Sequence, residues 1–321
     1  MMSGPKFKVN EILLNLCSDI TRLLGKYEGL SGAKPQPRLR RLNRIRTIQG
    51  SLAIEGNSLS LEQVTALLDG KRVTAPKKDI LEAQNANRVY EQAGSINPHT
   101  VQSMLQAHGY LMKDILPDAG KWRTGSVGIM KGSNVSHFGP KAKFVQGMIK
   151  DLLKWVRSSE TSPLITSSVF HHQFELIHPF SDGNGRMGRL WQHLMLLKYH
   201  AIFEYVPMES VIRDRQEGYY KALEAADRAD DSTVFVEFML RAILQGTQEL
   251  LGAMRVERVT GRDRLSAARE RFEKDWFSRK DYQGFYIKLS APTASRDLKL
   301  GVDEKALERK GDKALARYRF K

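Results

Sequence analysis

The thirteen residues Ile177 to Arg189, IHPFSDGNGRMGR, hold one histidine, one acid, three glycines and two arginines. Each type suits chemistry at a phosphate. His178 can take a proton from an attacking hydroxyl, a contribution on the order of 10²–10⁴ in rate. Asp182 is the kind of carboxylate that completes the shell of Mg²⁺ alongside phosphate oxygens and water. Gly183, Asn184 and Gly185 let successive backbone N–H groups close around an anion. Arg186 and Arg189, three apart, offer a polyphosphate charge-assisted bonds of roughly 1.5–3 kcal/mol each. Asp-Gly and Asn-Gly are also turn formers, but neither flank alternates as a hairpin strand would. Phe170, Phe174 and Ile177 share one helical face upstream, and Leu190, Leu194 and Leu197 share one downstream. The glycines therefore open a helix, where unpaired N–H groups and the macrodipole favour an anion. No GxxxxGK[ST] loop is present, and His171, His172 and His178 lack the HExxH spacing of a zinc hydrolase.

Helices must hold such a loop, and helical periodicity dominates the chain. EILLNLCSDITRLLGKY reads as a helix stopped at Gly25, and LRRLNRIRTIQGSLAIEGN as one with a stripe of Leu39, Leu42, Ile45, Ile48 and Leu52. The second ends at Gly56-Asn57, with Ser51 and Glu55 as i, i+4 neighbours on one face. Ser60 and Gln63 form a capping box for the next helix. The pattern breaks at GKWRTGSVGIMKGSNVSHFGPK, where short β-type fragments around Val127 and Ile129 suggest a hairpin flap. Helices then resume, through QEGYYKALEAAD, to about residue 250. Beyond it, MRVERVTGRDRLSAARERFEK reads as a linking helix. In the tail, Ser290 and Thr293 cap a helix carrying Arg296 and Lys299. A turn at Gly311-Asp312 follows, with Ala316, Tyr318 and Phe320 on one face of a strand. The fold class is mainly α, with a small β flap and a separate C-terminal unit.

Composition bounds the setting. The chain has 321 residues, 41% hydrophobic and 27% charged, enough for two domains. Its one cysteine, Cys17, excludes an intramolecular disulfide framework. The first 25 residues lack the apolar core of a signal peptide, and no apolar run is long enough for a membrane span. A cytoplasmic protein is expected, with no membrane partner. The net charge is +15, of which residues 255–321, with 19 Lys and Arg against 11 Asp and Glu, carry +8. A basic tail fits an acidic partner such as nucleic acid, or a solvated helical face.

HPFSDGNGRMGR matches the motif H-x-F-x-[D/E]-G-N-G-R-x-x-R of the Fic (Fic/Doc) family at every fixed position, and HHQFELI resembles that family's lead-in helix. The resemblance covers most of residues 35–250. It implies a Fic-type helical core with a small β-hairpin flap, moving AMP from ATP to a Ser, Thr or Tyr hydroxyl of a protein, itself included. His178 would be the base and Asp182 the Mg²⁺ ligand. Gly183, Asn184, Gly185, Arg186 and Arg189 would contact ATP phosphates. Ile129 on the flap and Tyr219 and Tyr220 in GYYKALEAAD are further nucleotide-side candidates; Asp227 stands where relatives can have Asn. SLAIEGN is similar to the family's inhibitory pattern [S/T]-x-x-x-E-[G/N], which would set Glu55, with Ser51, against Arg189, or let Glu55 orient a water for AMP removal. The tail looks like a winged helix-turn-helix. The implied layout is an N-terminal helical region over 1–95 with the inhibitory helix at about 38–56, a catalytic core over 96–250, and a linker helix and winged helix over 255–321. Contact of the winged helix with DNA or protein, and a homodimer, are further expectations. The alternatives are a DNA-binding regulator with the core as nucleotide sensor, or the same scaffold with another donor.

Overall fold

The computed structural model describes residues 4–29, 35, 37–131, 134–256, 260–286, 289–312 and 315–321, with backbone alone at 128–131, 134–138 and 255–256. The chain divides into two compact units; among the described residues the first holds 4–29 and Pro37–Leu251, and the second holds Pro35 and those of Gly252–Lys321. Among the described residues no helix is long and apolar enough to cross a membrane.

The first unit is helical. In order come α1 (Glu11–Glu28), α2 (Pro37–Ile54), α3 (Leu61–Leu68), α4 (Lys77–Glu91) and α5 (Val101–Leu111). A hairpin of β1 (Gly128–Lys131) and β2 (Asn134–Phe138) follows. Then come α6 (Ala142–Ser158), α7 (Pro163–Ile177), α8 (Asn184–Tyr199), α9 (Met208–Asp214), α10 (Gln216–Ala229) and α11 (Thr233–Val256). Asn10 caps α1 by accepting from Leu13 N, and Leu13, Leu16, Ile20 and Leu24 form its buried face. The helix runs through Gly25 to Glu28 rather than stopping there, because one glycine costs only about 1 kcal/mol against alanine. Ser60 and Gln63 close the capping box of α3.

Two helix pairs make the frame. α7 and α8 are antiparallel neighbours, and Phe170, Phe174, Ile177, Leu190, Trp191 and Leu194 lie in one buried cluster between them and their surroundings. α2 lies on α9. Leu39, Ile45, Ile48 and Leu52 are buried, but Leu42 is 43% exposed. Leu42 lies about 60° round the helix from Leu39, on a side left open along the N-terminal half, whereas from Ile45 to Leu52 the helix is buried on nearly every side. Asn43 fills the inward position instead and donates to Tyr205 O at 2.9 Å. At Gly50 the α2 backbone comes so close to α9 that an added Cβ would sit 2.7 Å from the Glu209 carbonyl carbon.

β1 and β2 pair antiparallel, Gly128 with Phe138 and Lys131 with Asn134, with an irregularity after Ile129. The base of the hairpin is anchored by Arg123, 4% exposed, which donates to Gly125 O at 2.8 Å and Pro140 O at 2.5 Å.

The second unit runs α12 (Gly261–Phe272), β3 (Phe277–Ser278), α13 (Arg279–Phe285), α14 (Ala291–Asp303), β4 (Leu307–Lys310) and β5 (Arg317–Phe320). Its antiparallel sheet has the order β3-β5-β4. The Arg-rich segment expected as one linking helix is instead the end of α11 and a separate α12. Thr260 and Asp263 close a capping box on α12, which starts the new helix. α12 then contributes Leu265 and Ala268 to a core with Phe277, Tyr282, Leu298 and Phe320. Ser290 caps α14 by accepting from Thr293 N. Helix, strand, two helices and a hairpin thus follow one another in this order.

Candidate active site

The loop between α7 and α8 is built by its own residues and by three side chains from afar. His178 adopts φ +50°, ending α7, and Gly183 adopts φ +81° at the entry to α8, a conformation that favours glycine. Between them the Asn184 amide closes the loop on Phe180: Oδ1 accepts from Phe180 N and Nδ2 donates to Phe180 O, both at 2.9 Å. The Asn184 side chain is thus turned inward, and it shapes the loop rather than facing a ligand.

Arg123 Nε donates to His178 O at 2.7 Å and Nη2 to Ile177 O at 3.3 Å, tying the hairpin's base to the loop. His108, fully buried, stacks on Phe180 with ring centroids 3.7 Å apart. Gly120 N donates to its Nδ1 at 2.9 Å, so the ring proton sits on Nε2, which donates to Asp182 O at 3.0 Å. Burial holds this imidazole neutral, its pKa pushed down to about 4.

The His178 Nδ1 lies 3.3 Å from Glu175 O. A carbonyl can only accept, so Nδ1 carries the proton and the basic lone pair is on Nε2. Asp182 Oδ1 accepts from Gly183 N at 2.5 Å and lies 3.4 Å from Arg186 Nη2, while its side chain stays 50% exposed. Among the described residues no three metal-ligating side chains stand together. One half-exposed carboxylate beside a helix N-terminus fits Mg²⁺ that takes its remaining ligands from phosphate and water, and does not fit a closed protein cage.

Each loop arginine is taken by a different carboxylate. Arg189 is fully buried; its Nη2 donates to Glu55 Oε1 at 2.7 Å and to Ser51 O at 3.0 Å, and Nε to Ser51 Oγ at 3.3 Å. The Glu55 carboxylate lies over the first turn of α8: a methyl group at Gly185 would run into Glu55 Oε1 and stand 3.1 Å from Arg189 Nη1. Facing Glu55, and held protonated by it, Arg189 has its pKa raised. Arg186, 4% exposed, donates to Glu82 Oε1 of α4 at 2.8 Å. The other Glu82 oxygen accepts from Asn57 Nδ2 at 2.8 Å, two residues past Glu55.

The far wall is α10. The Tyr219 hydroxyl bonds His171 Nε2 at 3.1 Å inside an aromatic cluster with Phe235 and Phe238. Tyr220 and Gln216 both donate to Ile54 O, at 3.1 and 2.8 Å, and so hold the last carbonyl of α2 beside Glu55. Asp227 Oδ1 is 3.0 Å from His172 Nε2. Ile129 lies in β1, where the side chains are outside the described residues. Glu82, Arg123 and His108 escaped sequence reading because nothing near them in the chain marks them. The one local sign is a charged or polar residue on an otherwise buried helix face, as at Glu82 beside Ala83, Ala86 and Val89.

The sequence model of the Fic/DOC family matches residues 98–196, from α5 through α8. A Fic family protein from Desulfovibrio desulfuricans G20, of known crystal structure, is 39% identical, with a TM-score of 0.77 over 100% of this chain and 98% of that one. Protein adenylyltransferase fic-1 of Caenorhabditis elegans is 28% identical over 217 residues, 64% of this chain and 41% of the relative. Protein adenylyltransferase Fic of Nematostella vectensis is 25% identical over 223 residues, 66% of this chain and 49% of the relative. The chain therefore spans less than half the length of these two curated relatives. Near full-length similarity to the bacterial protein, on a site carried by the matched segment, places this chain in the Fic/DOC family.

Proposed function

We propose that this chain is an autoinhibited protein adenylyltransferase, moving AMP from ATP to a Ser, Thr or Tyr hydroxyl of a protein, itself included. The observation that carries the reading is the Glu55–Arg189 pair laid over Gly185. A polyphosphate entering the start of α8 meets a carboxylate already there and an arginine already paired. Repulsion between Glu55 and the nucleotide's own charge keeps the site idle. When the α2 end withdraws, the α8 N-terminus and Arg189 are exposed to the phosphates, and Arg186 stands one turn earlier.

His178 Nε2 then accepts the proton of the attacking hydroxyl. That oxygen bonds the α-phosphorus, the bond from the α-phosphorus to the bridging oxygen breaks, and pyrophosphate leaves. Asp182 would hold the Mg²⁺, which when bound neutralises phosphate charge. Arg123 and His108 keep the His178 and Asp182 carbonyls, and so the whole loop, in place. The names of the curated relatives and the family membership support the donor and the reaction class. The exposed Arg296 and Lys299 on α14 support, as a second proposal, contact of the winged helix with an acidic partner such as DNA.

Mass spectrometry after incubation with ATP and Mg²⁺ tests the main reading. Glu55→Gly is expected to carry an AMP adduct that wild type lacks or carries at least about tenfold less, and Glu55→Gly/His178→Ala none. Equal labelling of wild type and Glu55→Gly rejects autoinhibition. An adduct that survives His178→Ala rejects the base.

A further inference from the structure

A cavity of about 540 Å³ opens in the first unit on the N-terminal half of α2, between α2, α3, the end of α4, α8 and residues 204–205. None of its lining residues belongs to the 178–189 loop or to the α2 end that bears Glu55. Its volume falls in the range of small-molecule sites, about 300–1,000 Å³.

Its chemistry is that of an anion site. Arg40, Arg41 and Arg44 of α2 line one wall, and only Glu91 and Glu204 oppose them, so the lining is net positive. Arg41 pairs with Asp69, and Arg44 with Glu91 at 3.2 Å, yet their side chains remain 54% and 44% exposed. Each guanidinium has five donors, so neither fork is filled by one contact. Arg40 Nε is buried and has no hydrogen-bond partner among the described residues. Deeper in the cavity His193 of α8 is 5% exposed, edge-on to Tyr90 with centroids 5.5 Å apart, and makes no hydrogen bond among the described residues. A buried donor left without a partner costs roughly 1–3 kcal/mol, so an orphaned guanidinium nitrogen in a cavity that also holds an imidazole points to something that satisfies it. Burial pushes the His193 pKa down to about 4, so at neutral pH the ring donates from one nitrogen. A phosphate dianion would draw a second proton onto it and match the resulting charge of the wall.

We propose that this cavity is a regulatory site for a small phosphate-bearing molecule, which bridges the α2 arginines to His193 of α8 and fastens α2 in the position that keeps Glu55 on Arg189. The binding stands on the cavity alone; the regulation rests on the function proposed above. Such a ligand acts only through its preference for the docked position of α2, since withdrawal of the helix separates the arginines from His193.

The test uses the full chain, labelled at the histidine rings for NMR, with inorganic phosphate as probe at constant ionic strength. Phosphate is expected to give a saturating shift of the His193 resonance, identified by its loss in His193→Gln. Chloride should give none and acetate a weaker one. Arg189→Ala should keep the phosphate shift, whereas Arg41→Gln/Arg44→Gln, which alters two exposed side chains, should lose at least about nine-tenths of the affinity. Hydrogen exchange of the α2 amides should slow about elevenfold at a phosphate concentration ten times Kd, the factor that linkage requires if binding is confined to the docked state. No saturating shift, an equal shift with chloride or acetate, or one abolished by Arg189→Ala overturns the site. A saturating shift with unchanged α2 exchange overturns the regulation. Both readouts work without transferase activity, so a failed adenylylation assay leaves this proposal standing or falling by itself.

Discussion

Glu175 shows how closely charge is rationed around Arg189. Its Oε1 is buried without a hydrogen-bond partner among the described residues, 3.7 Å from His171 Nε2 and 2.5 Å from where a Cβ at Gly188 would lie. Burial pushes its pKa up to about 8, against the opposing pull of Arg189 and with reinforcement from Glu55 and Asp227. A neutral Glu175 leaves Arg189 with Glu55 as its carboxylate partner. The proton carries a linkage consequence. The folded pKa lies above the unfolded value near 4.5, so the folded state holds a proton that the unfolded state has lost. The stabilisation is complete below about pH 4.5 and is lost as pH rises towards about 8. Glu175→Gln removes the titration but keeps the shape. Relative to wild type, its Tm is expected to rise steadily between pH 5 and pH 8; a constant offset over that range would mean that Glu175 is already ionised. Residues of this sort were not legible in the sequence. The string from His178 to Arg189 is local, and its members meet because they are neighbours. Glu82 meets Arg186 across 104 positions and His108 meets Asp182 across 74, distances at which spacing carries no signal. Asn184 was legible as part of a loop, but its inward turn depends on the geometry of Phe180.

The elements were more legible than their contacts. Caps at Ser60 and Ser290 and the break before the hairpin follow from local chemistry. The continuation of α1 past Gly25 and the exposure of Leu42 depend on what lies opposite, which the pattern does not contain. The α2–α9 contact is the clearest case. Gly50 in SLAIEGN's lead-in looks like a weak point in a helix, and is in fact where two backbones touch. Gly50→Ala puts a methyl group 2.7 Å from the Glu209 carbonyl carbon and 2.8 Å from Ser210 N, both backbone atoms that cannot turn aside. The helices must separate, at a cost of about 1–3 kcal/mol. α2 carries Ser51 and Glu55 one turn further on, so the displacement reaches the pair with Arg189. The expected outcome is a lower Tm together with AMP transfer above wild type, measured by incorporation of labelled AMP. A destabilised variant with unchanged transfer would separate the seating of α2 from the control of Arg189. Gly185→Ala is the contrasting case, because the added methyl meets the mobile end of Glu55 rather than backbone. It should cost less stability than Gly50→Ala, but leave AMP transfer at or below wild type, because the methyl group stands where the phosphates enter.

At the scale of the whole molecule, two apolar clusters among the described residues fall in different units. One is organised around α7 and α8; the other joins α12, α13, α14 and the three-stranded sheet. The basic charge of the tail obscured how that second core is made, since its keystone is polar. Asp297, 4% exposed, accepts from Arg264 Nε at 2.5 Å and Nη2 at 2.8 Å, and from the Tyr282 hydroxyl at 3.3 Å. It also stands where any side chain at Gly261 would go, 2.6 Å from the position of a Cβ. One carboxylate thus joins α12, α13 and α14. Removing it takes both of these bonds from Arg264, whose side chain is 14% exposed, at a cost of about 3–5 kcal/mol for a buried pair. A unit of this size has only about 4–10 kcal/mol to lose, at roughly 0.05–0.15 kcal/mol per residue. Asp297→Ala is therefore expected to open the second unit while leaving the first intact. In hydrogen exchange read by mass spectrometry, peptides from α12 and α14 should lose most of their protection, and peptides from α7 and α8 should keep theirs. Asp297→Asn, which retains the acceptor for Tyr282, should fall between the two. Equal loss of protection in α8 would show that the two units unfold as one cooperative body, and that the second unit contributes directly to the stability of the helices that carry the 178–189 loop.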